Sequence, residues 1–170
     1  MLYTKSGDNW ITPSSIGTTY QGKNELALVR SEDYVKEWVS GTLPISITWK
    51  SICWSPELGL FCAVAAGSDI AATSPDGKNW TQQTLPVTAN WYSVCWSPEL
   101  GLFCAISWSS DIAATSPDGT NWTQRKLPVS ANWRSICWSP ELGLFCAVVY
   151  DSAIAVTSYA LPSVTPLILL

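Results

Sequence analysis

A repeat period of 42 residues, four short apolar runs in each period, and Pro, Gly and Asp between those runs predict an all-β fold, a β-propeller of about four blade equivalents. CWSPELGLFCA begins at Cys53, Cys95 and Cys137, and the units 49–90 and 91–132 are identical at 32 of 42 positions. A third unit, 133–170, is shortened, and residues 1–48 are a worn version of the same pattern. One domain over 1–170 follows, since a single unit cannot bury its apolar face alone. A β-trefoil, also made of three units of about this length, is the alternative; the fourth degenerate unit speaks against it.

Within a unit, WKSICW and LFCAVA are strand-like runs separated by Ser55, Pro56, Glu57, Leu58 and Gly59. Pro56 presets the turn and Gly59 admits positive φ, so the stretch reads as an antiparallel hairpin. SDIAATS is a third strand ended by Pro75, Asp76 and Gly77, and NWTQQTL a fourth closed by Pro86. Toward the N-terminus, Trp38 lies 42 positions before Trp80, and Leu43 with Pro44 repeats Leu85 with Pro86. EDYVKEW has lost the Asp and Gly of the turn, and Trp10 lies only 28 positions before Trp38, so that unit lacks a hairpin. The last unit keeps three strands and loses its second turn. A strand from the other end of the chain, or a second chain, is expected to complete it, and the apolar tail LPSVTPLILL to dock on a partner subunit.

The stretch TSPDGKNWT resembles the Asp-box of the sialidase-like (BNR) propeller repeats. The matching residues are Ser74, Asp76, Gly77 and Trp80, then Ser116, Asp118, Gly119 and Trp122, at a spacing one residue tighter than the usual box. With WSPELGLF, it is most similar to repeat proteins of bacteriophages and giant viruses. The resemblance covers residues 38–158 and implies the propeller fold and an association with a virion or other extracellular particle; it implies no activity.

Charged residues make up 13% of the chain and the net charge is −4, which leaves no basic patch for nucleic-acid phosphates. With so little charge, much of the surface must be neutral or covered by another chain. His is absent, and with it the commonest general base and metal ligand. No run approaches the ~18 apolar residues of a membrane span, and the first residues carry no secretory signal. No nucleophile, P-loop or dinucleotide motif occurs, so no catalytic, metal or cofactor residue is predicted. The arginines Arg30, Arg125 and Arg134 match no sialidase substrate cluster.

Three sets of residues are candidates for chemistry. Cys53 and Cys62 are symmetric about their turn, as are Cys95 and Cys104, and Cys137 and Cys146. Such cross-strand neighbours have β-carbons about 5 Å apart, within reach of a disulfide that would constrain the unfolded chain by roughly 2–3 kcal/mol. The other reading is a small apolar residue in a reducing compartment. Ten of the 11 Trp fall into repeated registers and are expected in the core. Trp108 is the exception: its counterparts are Ala66 and Tyr150, and Lys50, Tyr92 and Arg134 form a second register that varies. Those six positions are either a contact surface or neutral drift. Asp76 and Asp118 are expected to hold their turns by accepting backbone N–H bonds. Retention of the turn residues Glu57 and Glu99 reads as recent duplication or deliberate design, because packing alone does not demand it. The expected function is a non-catalytic, self-associating interaction or structural module. A lectin-like glycan binder is second and a sialidase-like hydrolase third.

Overall fold

The structure is a computed structural model that describes residues 38–159 and the strands at 2–6, 9–11 and 26–28. The chain is all-β and divides into two compact units, Met1–Ser40 and Gly41–Leu170. In the first unit, β1 (Leu2–Ser6) lies between β2 (Asn9–Ile11) and β3 (Leu26–Leu28) in an antiparallel sheet. The turn expected to be missing from EDYVKEW and the docking of the tail fall on residues 32–37 and 161–170, outside the described residues.

The second unit is an open antiparallel meander of seven strands in sequence order. They are β4 (Trp49–Ser55), β5 (Leu60–Ser74), β6 (Thr81–Ser97), β7 (Leu102–Ser116), β8 (Thr123–Ser139), β9 (Leu144–Val149) and β10 (Ala155–Thr157). In the first two repeats the expected second and third strands are one continuous strand, and the fourth runs on into the first strand of the next repeat; in the third repeat the second and third strands are separate, as β9 and β10. Each long strand divides its pairing: β5 meets β4 through Leu60–Ala65 and β6 through Ala66–Thr73.

Two local devices explain why these strands continue. Gly67, Ser109 and Asp151, each 42 positions apart, all have positive φ (73°, 57° and 48°); at the first two the strand kinks without reversing, whereas at Asp151 the chain turns back and β10 pairs antiparallel with β9. Pro86 does not close its strand, because Ile70 pairs with Thr84 and Ser68 with Ala89, leaving 85–88 bulged out of the ladder. A residue without an N–H is tolerated in such a bulge. Leu85 uses it to enter the core, 2% exposed, and the bulged Val87 carbonyl accepts the Trp91 indole N–H at 3.2 Å. Ile45 and Trp49 repeat that last contact at 3.2 Å, so the worn unit keeps this feature.

The core lies between repeats. One cluster joins Cys62, Val64, Ala71 and Leu85 of the first repeat to Trp91, Val94, Trp96, Phe103, Ala105 and Ala114 of the second. The next cluster repeats it one period on, with Cys104, Ile106 and Ala113 against Trp133, Ile136, Phe145 and Ala147. Polar bonds cross the same joint. Ser51 Oγ accepts the Val94 N–H and Ser93 Oγ the Ile136 N–H, both at 3.2 Å. The Trp96 indole donates to Glu57 Oε2 at 2.6 Å, and that of Trp138 to Glu99 Oε2 at 2.5 Å. Glu57 and Glu99 therefore have a structural reason to be retained, which corrects the expectation that packing does not demand them.

The tryptophan expectation needs a correction too. Trp91 and Trp133 are fully buried, whereas Trp38 is 86% exposed and Trp54 42% exposed. Trp80 and Trp122 donate their indole N–H to Gly77 and Gly119 carbonyls, at 3.1 and 2.9 Å. The sequence around Trp38 lacks that Gly.

An L-residue in the left-handed region costs about 1–2 kcal/mol, part of which glycine's extra chain entropy offsets. Ser109→Gly is expected to raise stability by about 0.5–1 kcal/mol in urea unfolding; a loss of stability would mean that the Ser109 side chain contributes more than its backbone strain costs.

Candidate functional site

Bulges place the two variable registers. Trp49 pairs with Ala65 and Ser51 with Val64, so Lys50 is the extra residue of its hairpin. Tyr92 and Arg134 are its counterparts, between Trp91 and Ser93 and between Trp133 and Ser135. An unpaired bulge residue is re-aimed out of the ladder, and here the three stack along one side of the repeats. The Lys50 ammonium lies 5.1 Å from the centre of the Tyr92 ring, and the Arg134 guanidinium 4.8 Å from it. The Arg134 guanidinium also donates a hydrogen bond to the Tyr92 hydroxyl.

The other register joins it. Trp108 is 5.2 Å from Tyr92 and 5.6 Å from Tyr150, centre to centre, and Arg134 also lies 5.7 Å from the Tyr150 ring. Five of the six variable positions thus form one ridge of alternating rings and cations. Ala66, half-buried and paired with Asn90, brings only a methyl group at its end of the register. Each exposed cation–π contact contributes about 0.5–1 kcal/mol. What the ridge offers a ligand is three aromatic rings beside two fixed positive charges, on a chain whose net charge is negative.

The box residues are engaged in their own turns. Asp118 Oδ1 accepts the N–H groups of Thr120 and Asn121 at 2.8 and 2.7 Å, and Oδ2 accepts the Asn121 amide at 2.7 Å. Ser116 Oγ accepts the Gly119 N–H at 2.8 Å and donates to Asp118. Asp76 makes the same set with Lys78, Asn79 and Ser74. The Asn121 N–H is the main influence holding the Asp118 carboxyl down at about 2, with partial burial opposing it and the Asn121 amide and Thr120 N–H assisting. Asp76 is held below the usual carboxylate range, first by the Asn79 N–H and then by that of Lys78.

The cysteines face each other as the hairpin symmetry predicts, Cys53 opposite Cys62, Cys95 opposite Cys104 and Cys137 opposite Cys146, all as free thiols. Burial pushes the Cys62 and Cys104 thiols up to about 12. Burial raises Cys53 and Cys95 as well, with their cross-strand partners adding to it. Protonated thiols of this kind are poor nucleophiles. Among the described residues, no group of three His, Cys, Asp or Glu side chains comes together.

One feature has no signal in the local sequence. A cavity of about 530 Å³ lies between the second and third repeats, lined by Ile136, Phe145, Val156 and Tyr159, with Arg125 and Lys126 among its walls. In the preceding joint, a Cβ on Gly119 would come within 2.9 Å of Thr73 and 3.6 Å of Leu60, so the second box turn sits on the first repeat. Thr115, the counterpart of Thr73, lines the cavity. The space opens where a third box turn would pack, and only the missing repeat unit signals it.

Because the folded state lowers the Asp118 pKa, its contribution to stability is complete above the ordinary carboxylate pKa of about 4 and is lost as pH falls toward 2. Asp118→Asn is expected to cost about 0.5–1 kcal/mol at pH 7, a figure reduced for solvent screening. Unfolding curves should show this gap closing between pH 4 and 2; a gap that does not change with pH would assign the loss to packing.

Compared with known proteins, the chain matches no family model and no curated protein sequence.

Proposed function

We propose that the chain is a non-catalytic, self-associating structural module whose task is to hold units of its own kind together. The observation that supports this most is the joint between repeats, which the chain builds twice with the same apolar cluster, the same Ser-to-backbone bond and the same Trp-to-Glu bond. Ser51 and Ser93, and Glu57 and Glu99, retained between the first two units, are engaged in joining neighbours. A propeller ring belongs to this proposal: box turns and face-to-face packing of successive repeats favour it, and the continuous β5 and β7 weigh against it. The likeness to phage and giant-virus repeats supports a place in a particle.

A second reading, a lectin-like contact, is favoured by the ridge of Tyr92, Trp108 and Tyr150, since aromatic faces beside cations suit the apolar faces of sugars that carry acidic groups. The ridge lies where otherwise near-identical repeats differ. The reading of a sialidase-like hydrolase gains nothing from it.

Light scattering of the native protein, with and without reductant, is expected to give a mass above the 18.5 kDa of one chain, and the same mass in reductant. A monomer at every concentration would overturn the structural reading. Trp108→Ala is expected to abolish any binding seen on a glycan array; unchanged binding would remove the ridge from consideration.

A further inference from the structure

The two ends of the stack are the two halves of its own joint. At the first repeat, Ile52 is 55% exposed and Trp54 42% exposed, whereas their counterparts Val94 and Trp96 are 4% and 8% exposed beneath the preceding repeat. At the third repeat, Val148 is 44% exposed, whereas its counterparts Val64 and Ile106 are fully buried against the following one. Cys137 and Ser135 are exposed there as well. These are the same positions of the repeat, buried where a neighbouring repeat is present and exposed at the ends of the array; at the third repeat Val148 pairs with Ala155 of β10, which folds back on it.

The polar groups complement each other in the same way. Inside the chain, each joint uses an indole N–H and a backbone N–H from the later repeat, with a glutamate and a serine from the earlier one. At the first repeat the corresponding donors are the Trp54 indole and the Ile52 N–H. At the third repeat the corresponding acceptors are Glu141 and Ser135. Among the described residues, none of the four bonds across repeats; Glu141 accepts only from Ser139, two positions away, at 3.4 Å.

We infer that copies of this chain associate head to tail, the Glu141–Cys137–Val148 face of one copy receiving the Ile52–Trp54 face of the next, in a third instance of the internal joint. This rests on the reading of the chain as a self-associating module and names the surface through which it acts. The contact is heterologous, so each copy keeps one free face of each kind after joining. Repetition closes into a ring if the rotation per joint permits, and otherwise extends as a filament.

The test uses two variants of the full chain. Ile52→Lys blocks the first face and Val148→Lys the second, at positions exposed enough for the fold to accept the charge. In sedimentation velocity, wild type is expected to form a ring of defined size or a concentration-dependent series. Each variant alone is expected to stay monomeric with an unchanged unfolding midpoint, and an equimolar mixture to give a dimer and nothing larger, because one competent face of each kind remains. Trp54→Phe and Glu141→Gln, which remove single hydrogen-bonding partners, are expected to weaken association about 10- to 100-fold and to leave folding unchanged. By contrast, Trp96→Phe, which touches the internal joint, should lower the unfolding midpoint. If wild type assembles but both lysine variants assemble equally well, or their mixture stays monomeric, the head-to-tail surface is wrong and the self-associating reading stands. If wild type is monomeric at all concentrations, both fall.

Discussion

The joint between successive repeats is the constraint on which the rest of the Gly41–Leu170 unit depends. A single repeat is little more than two hairpins pointing opposite ways, and it has almost no interior of its own. Its apolar residues become a core only when the next repeat covers them, which is why Val64 and Ile106 are fully buried and Val148 is not. The polar part of the joint follows from that burial. An indole N–H removed from water needs an acceptor, and the carboxylates of Glu57 and Glu99 supply one whose charge strengthens the bond. Stability in such an array is a sum of nearest-neighbour terms, so the end repeats are its weak points.

Backbone irregularities set what the array shows to its surroundings. The positive-φ position shared by Gly67 and Ser109 lets one strand pair first with the strand before it and then with the strand after it, and the same position at Asp151 lies in the turn that folds β10 back on β9. The bulges at Lys50, Tyr92 and Arg134 lie across the ladder from that changeover and push their side chains to the same side. One distortion of the sheet makes the alternating hairpins, and the other makes the ridge. Variation between repeats is concentrated where these distortions release side chains from the packing, and identity is concentrated where the joint holds them.

The same division accounts for the polar residues that look reactive in isolation. Asp76 and Asp118 are held ionised by their own turn N–H groups, and the second of these turns covers the preceding repeat through the close approach of Gly119 to Thr73 and Leu60. Burial raises the Cys62 and Cys104 thiols, which pack in the joint clusters as small apolar residues. Where a turn is missing, after the third repeat, the cavity beside Thr115 marks the place it would have filled.

The 42-residue period alone determined that the chain is all-β, that hairpins turn at SPELG and at SPDG, and that each cysteine faces another across its hairpin. These are local matters: a turn residue with a required φ, and a pairing register fixed by symmetry about that turn. Periodicity also picked out the six varying positions without indicating that five of them meet. Only the tertiary structure decided that strands run through Gly67 and Pro86, because a proline or glycine signals a stop unless a bulge absorbs it, and a bulge depends on what its displaced side chain can fill. Likewise, only the tertiary structure decided that Glu57 holds Trp96 across 39 positions of chain and that Trp38 stands in solvent while Trp91 is buried. An identical side chain is core or surface according to the neighbour that covers it, and a repeat sequence does not record which of its copies has a neighbour.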